Sequence, residues 1–149
     1  MASPRPAISL RIQAMQEYDL RLRTPSEELW LWRRRQISPS GRTRSRVGSG
    51  LSQLEAANAL GISMQRYHDA EAGRLPERDV HALFVMAQKG QVYSNPTLGE
   101  LCALARRRAG WTLEYSRETL GKSRVTFLEL ERIGDPSILE MWMQEGFVF

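Results

Sequence analysis

The chain is poor in several residue types, and each shortage excludes a class of protein. It has one cysteine, Cys102, so neither an internal disulfide nor a four-cysteine zinc module can form. Two histidines, His68 and His81, supply too few further ligands for a structural zinc site, and we expect neither a metal nor a cofactor. No apolar run approaches the roughly 20 residues of a membrane span. Arg5 and Arg11 interrupt the first apolar residues, which argues against a secretory signal.

Lysine is nearly absent, although the chain is basic. Of 21 basic residues 19 are arginine, and the formal net charge is +4. Residues 1–48 hold ten arginines against four acids, so the positive charge is concentrated there. Arginine binds phosphate in bidentate fashion and also reads guanine edges. The cluster therefore favours a nucleic-acid partner, and its members are Arg33, Arg34, Arg35, Arg42, Arg44 and Arg46.

The residues of known catalytic sites are not present at recognisable spacings. No serine or cysteine has a histidine partner in a familiar pattern, and no glycine-rich phosphate loop precedes a Lys-Ser or Lys-Thr pair. Cys102 lies in an apolar stripe with Leu101 and Leu104, so we expect a buried, inert thiol. We therefore expect that the protein is not an enzyme.

Apolar spacing and capping signals predict an all-α chain. Residues 7–22 show helical spacing, after a short N-terminal arm. Thr24, Pro25 and Glu27 form the start signal of a second helix that runs into the arginines at 33–35. The stretch 37–50 alternates arginine with serine, glycine and proline, which predicts a flexible basic loop.

The segment 50–73 has the pattern of two short helices joined by a tight turn. Ser52, with Glu55 three residues later, forms a capping box for the first helix, and Gly61 suits a left-handed position at its end. Ser63 then caps a second helix that ends near Gly73. This is a helix-turn-helix pattern. A further helix is predicted from Asp79, with a buried side formed by Val80, Leu83, Phe84 and Met86.

The pattern recurs 60 residues further along the chain. The identical pairs fall at turn, cap and core positions: Gly50 and Gly110, Leu60 and Leu120, Gly61 and Gly121, Ser63 and Ser123, Glu71 and Glu131. The simplest explanation is a duplicated helical domain, with about 13 residues inserted in the first copy between its first and second helices. We expect each glutamate to pair with an arginine of its domain's first helix, with Arg106 the candidate in the second copy.

The predicted organisation follows from this repeat. Residues 1–23 form an N-terminal arm and helix, 24–90 the first helix-turn-helix domain with the basic loop at 37–50, 91–96 a linker, and 97–149 a second helix-turn-helix-like domain. The fold class is therefore all-α, with two tandem small helical domains.

Three stretches of the first copy carry a family resemblance. Residues 50–53 (Gly-Leu-Ser-Gln), 60–63 (Leu-Gly-Ile-Ser) and 71–73 (Glu-Ala-Gly) resemble the Xre/Cro-type helix-turn-helix of phage and bacterial repressors. The second copy resembles a degenerate member, because Leu113 replaces the family's glutamine and Arg117 its alanine. The resemblance implies lambda-repressor-like domains in a regulator of transcription that binds double-stranded DNA by sequence, with a phage or mobile-element origin.

The resemblance also implies which residues contact DNA. The second short helix enters the major groove with its N-terminal residues first, which are Ser63, Met64, Gln65 and Arg66. Gln65 suits an adenine edge, and Arg66 a guanine edge or a phosphate. Gln53 has two readings, a phosphate contact or a brace for the reading helix. Asp69 either accepts a hydrogen bond from cytosine or pairs with a cation of its own domain.

In the second copy the matching places hold Lys122, Ser123, Arg124 and Thr126. Their cations suit phosphate contacts, so this copy could dock on the backbone without reading bases. The arginines at 33–35 and in the loop would follow phosphates or reach into a minor groove.

Two further classes of function remain open. A helix-turn-helix scaffold can bind a host protein such as RNA polymerase, or form the ring of a phage DNA-packaging adaptor. RNA binding is a weaker option, because no RNA-binding module is recognisable. A homodimer remains open and we expect no membrane partner. The expected location is the bacterial cytoplasm or nucleoid.

Overall fold

The computed structural model describes residues 17–36, 50–89 and 95–149, and within them the chain is all-α, as predicted. The one extended pairing in the described part is an isolated parallel bridge between Asp19 and Val148. From Pro25 onwards the described residues form eight helices: α1 (Pro25–Arg35), α2 (Gln53–Leu60), α3 (Met64–Glu71), α4 (Glu77–Ala87), α5 (Leu98–Ala109), α6 (Leu113–Thr119), α7 (Arg124–Ile133) and α8 (Pro136–Gln144).

The helices form two compact units. The first unit is Thr24–Pro96 and contains α1 to α4, while the second unit joins Thr97–Phe149, with α5 to α8, to the N-terminal residues Met1–Arg23. The described N-terminal residues thus pack with the second unit, although the first unit follows them directly in sequence.

The predicted capping signals form as expected. The hydroxyl of Thr24 accepts from the backbone N–H of Glu27, whose carboxylate accepts in return from the N–H of Thr24. Ser52 and Glu55 form the same reciprocal pair at the start of α2. Each box satisfies two of the orphan donors of a helix start. Gly61 ends α2 in the left-handed conformation, with φ 69° and ψ 30°.

Two sequence expectations need correction or fall outside the described residues. Helix α4 begins at Glu77 rather than Asp79, and Met86 is half exposed, because the buried face continues from Phe84 to Ala87 instead. Counted from Val80, the same helix face returns at positions 83, 84 and 87, whereas position 86 lies about 120° round the helix from it. Of the helix predicted over 7–22, residues 7–16 lie outside the described part, and the helix has ended before Asp19.

The core of the first unit lies between all four of its helices, α1 to α4. Leu29 and Trp32 of α1 pack with Tyr67 of α3 and with Val80 and Leu83 of α4, all of them buried. α1 makes its largest contact with α4, and α3 packs across α2 in the same unit. The short helices α2 and α3 could not remain folded alone at this length, so the shared core fixes them.

The second unit is closed by aromatic side chains and by the N-terminal segment. Trp142 is fully buried, and its ring centroid lies 4.8 Å from that of Trp111 and 5.6 Å from that of Phe147. Tyr18 lies 5.1 Å from Phe147, and Leu20 beside it is fully buried. Residues on both sides of the bridge therefore belong to one core.

A matching hydrogen bond locates the insertion in the first unit. The N–H of Leu51 donates to the carbonyl of Arg33 at 3.1 Å, and the N–H of Trp111 donates to that of Arg106 at 3.2 Å. Thirteen more residues separate the first pair than the second. The extra residues, 37–49, lie outside the described part, and the chain re-enters each unit at the equivalent point.

Candidate nucleic-acid interface

A buried ion pair fixes α3 in the first unit. Arg33 donates from Nε to Oε2 of Glu71 at 2.6 Å and from Nη2 to Oε1 at 3.1 Å, while its Nη1 donates to the carbonyl of Leu51 at 2.9 Å. Glu71 is 3% exposed and Arg33 18% exposed. Burial alone would lower the pKa of Arg33, but the hydrogen bonds to Glu71, the negative charge of Glu71 and smaller contributions from Tyr67 together raise that pKa. The predicted pairing of Glu71 with an arginine of the first helix is confirmed.

Gln53 extends this network to the exposed side of α3. Its Nε2 donates to Glu71 at 3.2 Å, and its Oε1 lies 3.1 Å from Nδ1 of His68, which donates to it in the Nδ1–H tautomer. Gln53 thus ties the start of α2 to the C-terminal half of α3. This geometry is the bracing role, the second of the two readings given for this residue.

The N-terminal half of α3 faces solvent. The hydroxyl of Ser63 caps the helix by accepting from the N–H of Arg66 at 3.1 Å. Met64, Gln65 and Arg66 are all exposed, while Tyr67, the next residue, is fully buried. The buried ring and the ion pair hold the backbone, so three adjacent side chains are presented on a fixed support.

The carboxylate of Asp69 is satisfied within the first unit. Nε2 of Gln65 donates to Asp69 at 3.1 Å, and Nη1 of Arg74 lies 3.4 Å away. Arg66, by contrast, forms no ion pair within the described residues. On the exposed surface of α3, the positive charge of Arg66 is therefore not neutralised by an ion pair within the described residues, whereas the carboxylate of Asp69 is bound by Gln65 and Arg74.

The arginines at 33–35 are more buried than their sequence suggests. The guanidinium of Arg33 is turned towards Glu71 and binds it through two nitrogens. The guanidinium of Arg34 lies 4.7 Å from the ring centroid of Trp30, a cation–π contact, and Arg34 and Arg35 are partly buried. Arg42, Arg44 and Arg46 lie outside the described residues.

The second unit repeats the ion pair but not the brace. Arg106 donates from Nε to Oε2 of Glu131 at 2.8 Å and from Nη2 to Oε1 at 3.2 Å, which confirms the pairing expected for the second copy. Leu113 stands where Gln53 does and has no amide with which to reach α7. The second unit therefore has the equivalent arginine–glutamate pair, but it lacks the hydrogen bonds that Gln53 makes in the first unit.

The predicted residues of the second copy are all exposed. Lys122, Ser123, Arg124 and Thr126 surround the start of α7, where the Ser123 hydroxyl accepts from the N–H of Thr126 at 3.2 Å. Further along α7, Arg132 binds Glu129 and holds the pKa of that carboxyl below its usual range. The four residues come together at one end of one helix.

Two residues of the second unit escaped the sequence analysis. Val125, 76% exposed, lies 60 positions after Gln65, so the repeat offset could have found it. Arg108 donates to the carbonyls of Glu17, Asp19 and Leu22, at 3.1, 3.0 and 2.5 Å. No sequence signal pairs it with main-chain atoms some 90 positions earlier.

The described part of the chain has neither a cluster of metal ligands nor a membrane-spanning helix, and the chain matches no known protein family or structure. Residues 17–36, 50–89 and 95–149 contain no group of three or more side chains suited to a metal ion. In the same ranges no helix is long and apolar enough to cross a membrane. No protein-family model, curated protein or solved structure matches the chain.

Proposed function

We propose that the protein is a sequence-specific, double-stranded DNA-binding regulator of transcription, of the Xre/Cro helix-turn-helix type. In this proposal the start of α3 in the first unit enters the major groove. The two helices α2 and α3, joined by the turn at Gly61, have the order and capping that such a motif requires. It would act as a repressor by occupying an operator, in the bacterial cytoplasm or nucleoid.

The observation that carries the proposal is the rigid presentation of Met64, Gln65 and Arg66. A base-reading side chain gains discrimination only when its backbone is held in register with the groove, since each loose rotamer or helix shift costs affinity. The Arg33–Glu71 pair and the hydrogen bond from Gln53 hold α3 through its last residue, at the end of the helix that is farther from Met64, Gln65 and Arg66 in sequence. The exposed residues themselves carry little competing negative charge.

Each exposed residue has a chemical role in this interface. Gln65 can exchange its bond to Asp69 for the two edge groups of adenine, and Arg66 can donate to guanine or to a phosphate. Gln53 is half-buried and acts through α3 rather than on a base. Phosphate contacts would come from Arg34, Arg35 and the arginines of the 37–49 segment, so binding should weaken as salt rises.

The test is a binding titration of purified protein on a duplex recovered from a random pool. Gln65→Ala and Arg66→Ala should each weaken binding about five- to a hundred-fold, the range for losing one good base contact. Arg78→Ala on α4 is the matched control, because Arg78 is 89% exposed and lies on another helix. Equal loss for Arg66→Ala and Arg78→Ala would contradict base reading by α3.

A further inference from the structure

The start of α7 presents an apolar side chain where the first unit presents a polar one. Val125 is the second residue of α7 and is 76% exposed, more than any other large hydrophobic residue in the described part of the chain. It occupies the repeat position of Gln65. Most of the Val125 side chain contributes no burial to stability, because its apolar area is left in water.

The charges around Val125 favour an anionic partner. Lys122 and Arg124 precede it by three residues and by one residue, both are exposed, and neither forms an ion pair in the residues that the structure describes. The nearby carboxylates of α6 are already occupied, because Arg117 lies 2.6 Å from Glu114 and 3.9 Å from Glu118. After the hydrogen bonds from Arg117 and Ser137, the charges of Arg124 and Lys122 also lower the pKa of the Glu114 and Asp135 carboxyls, without forming an ion pair with them in the described residues. Glu129, one turn after Val125, is paired with Arg132. The charges beside Val125 that no ion pair neutralises are therefore positive. An apolar protein surface would complement the valine but not these two cations.

Duplex DNA offers both kinds of partner. The one apolar group on the base edges of the major groove is the C5 methyl of thymine, and phosphates flank it on both sides. Valine is stiff at χ1, so placing its methyls against thymine costs little conformational entropy. We propose that α7 reads thymine through Val125, with Lys122 and Arg124 on the flanking phosphates, an inference that rests on DNA binding by the chain.

Under this proposal the second unit discriminates bases rather than only docking on the backbone. The preferred site contains an A·T pair whose thymine methyl contacts Val125. Burying one methyl group changes an affinity by about fourfold. Replacing that thymine with deoxyuridine removes the methyl and leaves the pairing and every hydrogen-bonding group unchanged, so it isolates this contact.

The experiment uses the full chain and duplexes recovered from a random double-stranded pool. Each thymine of the recovered consensus is replaced in turn by deoxyuridine, and affinity is measured for the wild type, Val125→Ala and Val85→Ala. Val85 is the matched control, because it is a 56% exposed valine on α4 of the first unit. Thermal unfolding of each variant shows that these exposed substitutions leave the fold intact.

The expected result is one thymine whose replacement weakens wild-type and Val85→Ala binding about fourfold. Val125→Ala should bind both duplexes equally, at the affinity of the wild type for the deoxyuridine duplex. A consensus that binds tightly but tolerates deoxyuridine everywhere overturns the thymine contact and leaves DNA binding intact. A thymine penalty that persists in Val125→Ala overturns it as well. Failure of the wild type to bind any duplex would contradict the proposed function itself, and Val125 would then be assigned to a contact with a protein partner.

Discussion

Truncation of the buried carboxylate in the first unit, Glu71→Ala, should destabilise that unit strongly. Glu71 accepts two hydrogen bonds from Arg33 and one from Gln53 while only 3% exposed. Without it the guanidinium of Arg33 loses its carboxylate partner and keeps the hydrogen bond to the carbonyl of Leu51. An uncompensated buried charge costs about 3–5 kcal/mol. Because 18% of the Arg33 side chain still reaches water, we expect about 3 kcal/mol, the low end of that range.

Urea unfolding, combined with hydrogen exchange measured by mass spectrometry, assigns the loss to one unit. Glu71→Ala should increase exchange in α1 and α3 and leave α5 to α8 unchanged. Glu131→Ala should do the converse, since Glu131 accepts the same pair of bonds from Arg106. Asp69→Ala is the control in the first unit, because its contacts with Gln65 and Arg74 are at the surface and are worth about 0.5 kcal/mol.

A double variant separates charge from packing. Replacing Arg33 by methionine together with Glu71 by leucine removes both charges, and such exchanges are often neutral in buried pairs. We therefore expect the double variant to be more stable than Glu71→Ala alone. A loss below about 0.5 kcal/mol for Glu71→Ala, or a double variant that is less stable than the single, would refute the reasoning.

Three further predictions concern backbone space, the N-terminal segment and the thiol. Gly50→Ala should lower the free energy of unfolding in urea by more than about 2 kcal/mol, because the new Cβ would lie 1.9 Å from the carbonyl oxygen of Arg33. Gly61→Ala should lower it by about 1 kcal/mol, because its φ is strained but its surroundings are open. A larger loss for Gly61→Ala than for Gly50→Ala would contradict this. Leu20→Ala should cost about 2–5 kcal/mol and increase exchange in the second unit, so increased exchange in α1 to α4 instead would count against the packing described. Burial raises the pKa of the Cys102 thiol to about 12, so at pH 8 it should react with iodoacetamide only after unfolding, and rapid native labelling would disprove that environment.

The sequence predicts the local structure well because its signals are local. Thr24, Ser52 and Ser63 cap the helices that they were expected to cap, since a capping box needs only residues three positions apart. Each of the repeated glutamates was also expected to bind an arginine of its own domain's first helix, and Glu71 and Glu131 do so. The capping boxes and the repeated glutamates are visible in the chain without its fold.

What the sequence did not predict depends on contacts between distant residues. Arg108 binds main-chain carbonyls of the N-terminal segment, and those atoms carry no residue-specific signal. The arginines at 33–35 read as one basic cluster, yet Arg33 lies in a buried ion pair and Arg34 against an aromatic ring. Which face of a helix turns inward is decided by its packing partners, as the exposure of Met86 illustrates.

Selection from a random double-stranded DNA pool at about physiological salt, followed by sequencing, tests the central claim most directly. The wild type should enrich a defined motif, and Gln65→Ala and Arg66→Ala should lose preference at one or two adjacent positions of it while keeping the rest. Arg78→Ala should recover the wild-type motif unchanged. Binding without enrichment of any motif, or a motif that is the same for all four proteins, would contradict sequence reading by α3.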